Sequence, residues 1–222
     1  MGQLIDLNRP DGGTFAAYVS DLDPAKPSVI VLQEWWGLND HIKWIVDRVA
    51  SEGGFNAIAP DLYHGRVTGD ADEASHMMNN LDFPGAVHQD IVATRDYLNT
   101  RGGKIGIMGF CMGGALTIAA AARLDGFAAA VCYYGVPPKA FADPKDIKIP
   151  FQGHFGSQDD WVTPQVVSDI QIAMVGAGNP PELFSYEADH AFFNKTRPEV
   201  YKAAIAEQSF ARTLAFFKTH LA

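Results

Sequence analysis

Cys111 lies in the run Gly109-Phe110-Cys111-Met112-Gly113-Gly114, directly after the apolar stretch 104–108 and ahead of the Ala-rich stretch 115–122. A thiol at the centre of G-x-Nuc-x-G, on a strand-to-helix turn, has the pattern of a nucleophile elbow with cysteine in the serine's place. The turn is so sharp that side chains two residues before and after the nucleophile would collide, which accounts for the glycines. The helix that follows offers a free backbone N–H and the positive end of its dipole to a thiolate and to a developing oxyanion. Plainer readings exist. The glycines could simply bring strand and helix close, with Cys111 a small buried apolar residue. A redox thiol would want a C-x-x-C partner, and a dinucleotide loop would want G-x-G-x-x-G; neither is present.

An elbow of this kind predicts an acid and then a histidine further along the chain. Asp159, in Gly156-Ser157-Gln158-Asp159-Asp160-Trp161-Val162, follows the apolar stretch 151–155. His190, in Glu187-Ala188-Asp189-His190-Ala191-Phe192-Phe193, follows the stretch 183–187. Both fall at strand C-terminal ends, where open parallel sheets carry their sites. Singly, Asp159 reads equally well as a turn residue and His190 as a loop residue. Glu34 is a further candidate, because a carboxylate directly after the buried run 29–33 stands where an early loop supplies an oxyanion N–H. Buried, it would have a raised pKa and could exchange a proton with the thiol; exposed, it is an ordinary surface glutamate.

The elements that must position these residues are short. Runs 29–33, 55–59, 104–109, 127–133, 151–155 and 183–187 are continuously apolar, the pattern of strands buried on both faces. Helical spacing appears at 40–51, with Ile42, Ile45, Val46 and Val49 inward, and at 84–100, with Val87, Ile91, Thr94 and Leu98 on one face. Thr196-Arg197-Pro198-Glu199 reads as a capping box opening the last helix, which runs through 203–222. Asp11-Gly12-Gly13 reads as a hairpin turn. The sum is an α/β fold: an antiparallel N-terminal edge, then βα units forming a mostly parallel sheet with helices on both faces. No linker or repeat divides it, so one domain over 1–222 is expected.

Composition narrows the function. The chain has 222 residues, 47% of them hydrophobic, enough for a large core and too apolar for disorder. Lys+Arg 17 against Asp+Glu 26 gives a net charge of −9, and without a basic run such a chain repels nucleic-acid phosphates and anionic membrane surfaces. No stretch has the length of a membrane span, and the start lacks a signal-peptide pattern. Cys111 and Cys132 are too few for a disulfide framework, so a reducing, cytoplasmic setting is expected. His41, His64, His76 and His88 lack metal-ligand spacing, and no metal or cofactor is expected.

Taken together, several segments resemble the dienelactone hydrolase (carboxymethylenebutenolidase) family of the α/β-hydrolase superfamily. They are Q-E-W-W-G-L-N at 33–39, A-P-D-L-Y at 59–63, G-F-C-M-G-G at 109–114, Y-Y-G at 133–135, G-S-Q-D-D-W-V at 156–162 and E-A-D-H-A-F at 187–192. The resemblance implies an α/β-hydrolase fold and a Cys-His-Asp triad: Cys111 as nucleophile, His190 as base, Asp159 orienting His190. Asp159 is preferred over Asp160 because it sets Val162 at the family's spacing. Glu34 resembles the family glutamate that interacts with the resting cysteine. The backbone N–H groups of Met112 and Trp35 would form the oxyanion hole. Trp36, Phe110, Tyr134 and Phe192 would line the substrate pocket, with Met77 and Met78 beside them. The family's carboxylate-binding arginines have no counterpart at their usual places, since 69–82 contains no arginine or lysine and Asn194 stands four residues after His190. A neutral, more apolar ester or lactone is therefore the expected small-molecule substrate, for a monomer or small homo-oligomer. Thioester or phosphotriester hydrolysis on the same residues, and a catalytically silent binding scaffold, are the alternatives.

Overall fold

The computed structural model describes residues 2–20 and 22–222. The six apolar runs form strands β3 (Ser28–Leu32), β4 (Asn56–Pro60), β5 (Ile105–Phe110), β6 (Ala129–Tyr133), β7 (Phe151–Gly156) and β8 (Glu182–Tyr186). Ahead of them β1 (Gln3–Asn8) and β2 (Thr14–Val19) make the expected hairpin, with Asn8 opposite Thr14. Its turn closes through Arg9 N–H to the Gly13 carbonyl at 2.8 Å, and Gly12 takes the left-handed backbone that the turn needs, φ 88°.

These strands form one eight-stranded sheet in the order β1-β2-β4-β3-β5-β6-β7-β8. The pairs β1/β2 and β2/β4 are antiparallel and the remaining pairs parallel. From β3 the chain passes to β4 on one side and then to β5 on the other. That reversal leaves a crevice at the carboxyl ends of β3 and β5, the usual place for a site in such a sheet.

Alternation along the strands divides the core. Ile30, Leu32, Ile107, Ala130 and Cys132 face one apolar layer, while Val29, Val31, Met108, Val131 and Tyr133 face the other. Helix α1 (Asp40–Gly53) covers the second layer with Ile42, Ile45, Val46 and Val49, the face its spacing predicts, together with the last helix, α7 (Ala203–His220). The Asn39 side chain caps α1 by accepting from Ile42 N–H, and Gly54 ends it in a left-handed turn, φ 78°. The first layer is covered by the helical segments between β4 and β5, by α5 (Met112–Arg123), and by α6 (Pro164–Gly176).

Those segments are α2 (Ala71–Asn79), α3 (Phe83–Gly85), a π-helical stretch at Ala86–Ile91 and α4 (Val92–Asn99). The expected helix over 84–100 is thus interrupted by a π turn, although Val87, Ile91, Thr94 and Leu98 are all buried. The predicted capping box does not form. The Thr196 hydroxyl donates to Asn194 Oδ1 at 2.6 Å and Glu199 pairs with Arg197, so α7 begins only at Ala203. Among the described residues no helix is long and apolar enough to cross a membrane.

Candidate active site

The elbow is built where β5 stops. Cys111 sits between Phe110, the last residue of β5, and Met112, the first of α5, with φ 53° and ψ −115°. A non-glycine residue at positive φ is strained, and here neighbouring contacts hold it: Cys111 N–H donates to the Tyr133 carbonyl and its own carbonyl accepts from Ala115 N–H, both at 3.0 Å. The glycines are sterically required. A Cβ on Gly109 would strike the Gly113 carbonyl oxygen, and one on Gly113 would lie 2.5 Å from the Gln33 carbonyl oxygen. Close packing of the elbow on the loop after β3 follows, which brings Trp35 to the same cavity as Met112.

His190 and Asp159 reach Cys111 on two loops stitched together. Ser157 N–H donates to the Tyr186 carbonyl at 2.7 Å and Gln158 N–H to the Ala188 carbonyl at 3.0 Å, joining the loops after β7 and β8. Asp159 Oδ1 accepts from Trp161 N–H at 2.7 Å and Val162 N–H at 2.9 Å, leaving Oδ2 for His190 Nδ1 at 2.7 Å. The other ring nitrogen, Nε2, lies 3.1 Å from Cys111 Sγ. Residues 31 and 79 positions apart from His190 in the chain thereby form one hydrogen-bonded line. Burial by itself would lower the His190 pKa, but its bonds to Asp159 and Cys111 lift it to about 10. Burial likewise works against the Asp159 carboxylate, yet His190 and the two backbone N–H groups hold its pKa below the usual value.

Glu34 has a different environment from the one expected. Its Oε1 accepts from the Tyr134 hydroxyl at 3.1 Å and its Oε2 from Asn194 Nδ2, whereas Cys111 Sγ is engaged by His190. The expected resting contact between Glu34 and the cysteine is therefore replaced by this pair of donors. Asn194 has its amide orientation set by Thr196, whose N–H and hydroxyl both donate to Oδ1, so its NH2 must face Glu34. Burial raises the Glu34 pKa to about 7 against the opposing pull of Tyr134, His190 and Asn194. Tyr134 follows β6 in a left-handed conformation, φ 37°, and its ring meets that of His190 edge-on at 5.1 Å.

A cavity of about 560 Å³ opens over Cys111 and His190. Trp35, Trp36, Tyr134 and Met78 line it, as does Trp161, whose ring is 5.8 Å from Trp35 and 5.9 Å from His190. Two expected pocket residues lie elsewhere. Phe110 is fully buried beneath the site against Tyr133 and Phe193, and Phe192 is fully buried against Tyr134 and Tyr186. Met77 faces the core and a second, smaller cavity that also holds His64, which meets Asp90 there at 3.2 Å. Conversely, Arg197 lines the main cavity although its sequence context reads as a helix cap. Its guanidinium stacks 4.7 Å over Trp36 and pairs through Nε with Glu199. The signal available was its nearness to His190, seven residues on in the loop that the missing cap leaves open.

The chain is similar to known proteins along nearly its whole length. Residues 15–221 match the model of the dienelactone hydrolase family. The chain is 34% identical to protein usf of Aquifex pyrophilus, covering all of both chains. It is 31% identical to the carboxymethylenebutenolidase of Pseudomonas putida, covering 96% of this chain and 94% of that one. A solved structure from metagenomic libraries, the dienelactone hydrolase-like promiscuous phosphotriesterase P91, superposes with a TM-score of 0.85 at 20% identity over 100% of this chain and 99% of its own, a likeness of fold. The chain therefore belongs to the dienelactone hydrolase family, hydrolases that act on ester bonds in the α/β-hydrolase fold.

Proposed function

We propose that the protein, as one domain over 1–222, hydrolyses neutral carboxylic esters or lactones through a thioester formed on Cys111. The observation that carries this reading is the line from Asp159 through His190 to Cys111 Sγ, at 2.7 Å and 3.1 Å, at the floor of an apolar cavity. Asp159 accepts the Nδ1 proton and so turns Nε2 towards sulfur. Against the pull of burial, Asp159 and Cys111 lift the His190 pKa to about 10, so the ring is a strong base placed to take the thiol proton as sulfur attacks.

The steps follow from these positions. The sulfur attacks the carbonyl carbon, and the resulting oxyanion meets the backbone N–H groups of Met112 and Trp35. Met112 is the first residue of α5, where N–H groups have no carbonyl to bond within the helix. His190 gives its proton to the leaving alcohol, and the thioester remains. Water, deprotonated by His190, attacks that thioester, and collapse of the second oxyanion releases the acid and restores Cys111. Glu34 tunes this chemistry: its charge changes close to neutral pH, behind Tyr134 and beside the reacting pair.

The walls favour an uncharged substrate. Trp35, Trp36, Met78 and Trp161 present apolar surface, and the Arg197 guanidinium lies over the Trp36 ring with its Nε on Glu199. Thiolate attack does not by itself choose the electrophile. The test is therefore a panel of p-nitrophenyl esters, simple lactones, dienelactone, a thioester and a phosphotriester, each with the parent and with Cys111→Ala. Turnover of neutral esters or lactones ahead of dienelactone, lost in Cys111→Ala, supports the proposal. Equal rates for Cys111→Ala and the parent would overturn it.

A further inference from the structure

The wall of the cavity is mainly apolar: Trp35, Met78, Phe83, Val136 and Trp161 line it around Cys111 and His190. The ring of His190, with Nε2 3.1 Å from Cys111 Sγ, is the base placed to receive the proton of an incoming nucleophile. Trp161 is 63% exposed, its ring 5.9 Å from His190, so an open aromatic face stands next to the base.

We propose that the protein is also an acyltransferase, in which apolar or aromatic primary alcohols discharge the acyl-enzyme in competition with water. The inference rests on the thioester reading above. In the step, His190 Nε2 takes the hydroxyl proton and the alcohol oxygen bonds to the thioester carbonyl carbon. The C–S bond then breaks, its electron pair returns to Sγ, and the proton comes back to the Cys111–His190 pair. A new ester leaves; nothing is oxidised or reduced, and the alcohol is the only co-substrate. This is acylation run backwards with a different alcohol, so the space that accepts a leaving alcohol accepts the acceptor. An aromatic acceptor gains burial against Trp161 and Trp35 that water cannot, a preference of roughly 10- to 100-fold for a phenyl group.

The experiment uses the parent protein with p-nitrophenyl butyrate and about 0.1 M benzyl alcohol or, separately, methanol, with products measured by chromatography. With that preference set against the water concentration of about 55 M, benzyl butyrate should take roughly 2–15% of the acyl groups and exceed methyl butyrate about tenfold or more. Trp161→Ala should narrow the benzyl-over-methyl ratio several-fold. Butyrate as the only product, or equal yields from the two alcohols, overturns the proposal. Intact mass after rapid acid quench separates the two levels. A butyryl adduct on Cys111 with no ester product refutes transfer and leaves the hydrolase reading standing. A substrate turned over with no adduct overturns both.

Discussion

Replacing Glu34 by glutamine tests the electrostatics of the site with a sign that can be worked out beforehand. Glu34 is 2% exposed, and burial lifts its carboxyl from 4.5 to about 7. A group whose folded pKa is raised supports the fold in its protonated form. That support is complete below the unfolded value and is lost as pH rises through about 7. The gap of about 2.5 pH units, 7 minus 4.5, corresponds to about 3 kcal/mol. Glutamine is neutral at every pH, can accept from Asn194 through its oxygen and can donate to the Tyr134 hydroxyl, so the hydrogen-bonded pair of contacts survives. Titrations that do not couple to Glu34 are common to both proteins and cancel in the difference: His154 and His41, lowered by burial to about 3 and about 4, lose stability as pH falls. Urea unfolding of parent and Glu34→Gln at several pH values from about 5 to about 8.5 reads the difference directly. The parent should fall behind the variant by about 2–3 kcal/mol over that range. In kcat/KM the inflection near neutrality should vanish in the variant, with KM little changed. Two stability curves that stay parallel would refute the assigned burial and charge of Glu34.

Two further substitutions test the packing under the site. Phe192 is fully buried against Tyr134 and Tyr186, so Phe192→Leu should lower the unfolding free energy by about 1–2 kcal/mol in urea titration while leaving KM for a bulky ester unchanged. A large KM change at unchanged stability would return Phe192 to the pocket wall. Gly113→Ala would set a Cβ 2.5 Å from the Gln33 carbonyl oxygen, backbone against backbone, and should lower the melting temperature by about 5 °C or more in calorimetry. An unaltered melting temperature would mean that the elbow packs less tightly on the β3 loop than described.

The parts of this site that were legible in the sequence are those set by local rules. The elbow announces itself because its strain restricts residues 109 and 113, and because a buried strand and an Ala-rich helix flank it. Asp159 and His190 are legible through their position after apolar strands. The aromatics are not, because nearness in sequence does not say which way a side chain points. Phe110 adjoins Cys111, yet strand alternation turns it into the layer covered by α1 and α7, against Phe193. Arg197 fails for a competing local bond: the sequence offers Thr196 as a helix cap, but its hydroxyl finds Asn194 Oδ1 first.

That same bond joins the illegible part of the site to its chemistry. Thr196 fixes the Asn194 amide, Asn194 donates to Glu34 across 160 residues of chain, and Tyr134 takes the other carboxylate oxygen from its strained position after β6. None of these pairings has a period, a spacing or a composition that sequence reading detects; they arise only once β3, β6 and the loop after β8 converge. They occupy Glu34 from both sides, and among the described side chains it is His190 that engages Cys111 Sγ. In the proposed mechanism the nucleophile and its base thus stand paired before any substrate arrives. In the same proposed mechanism Glu34, held by Tyr134 and Asn194, acts through its charge and not by touching the resting cysteine.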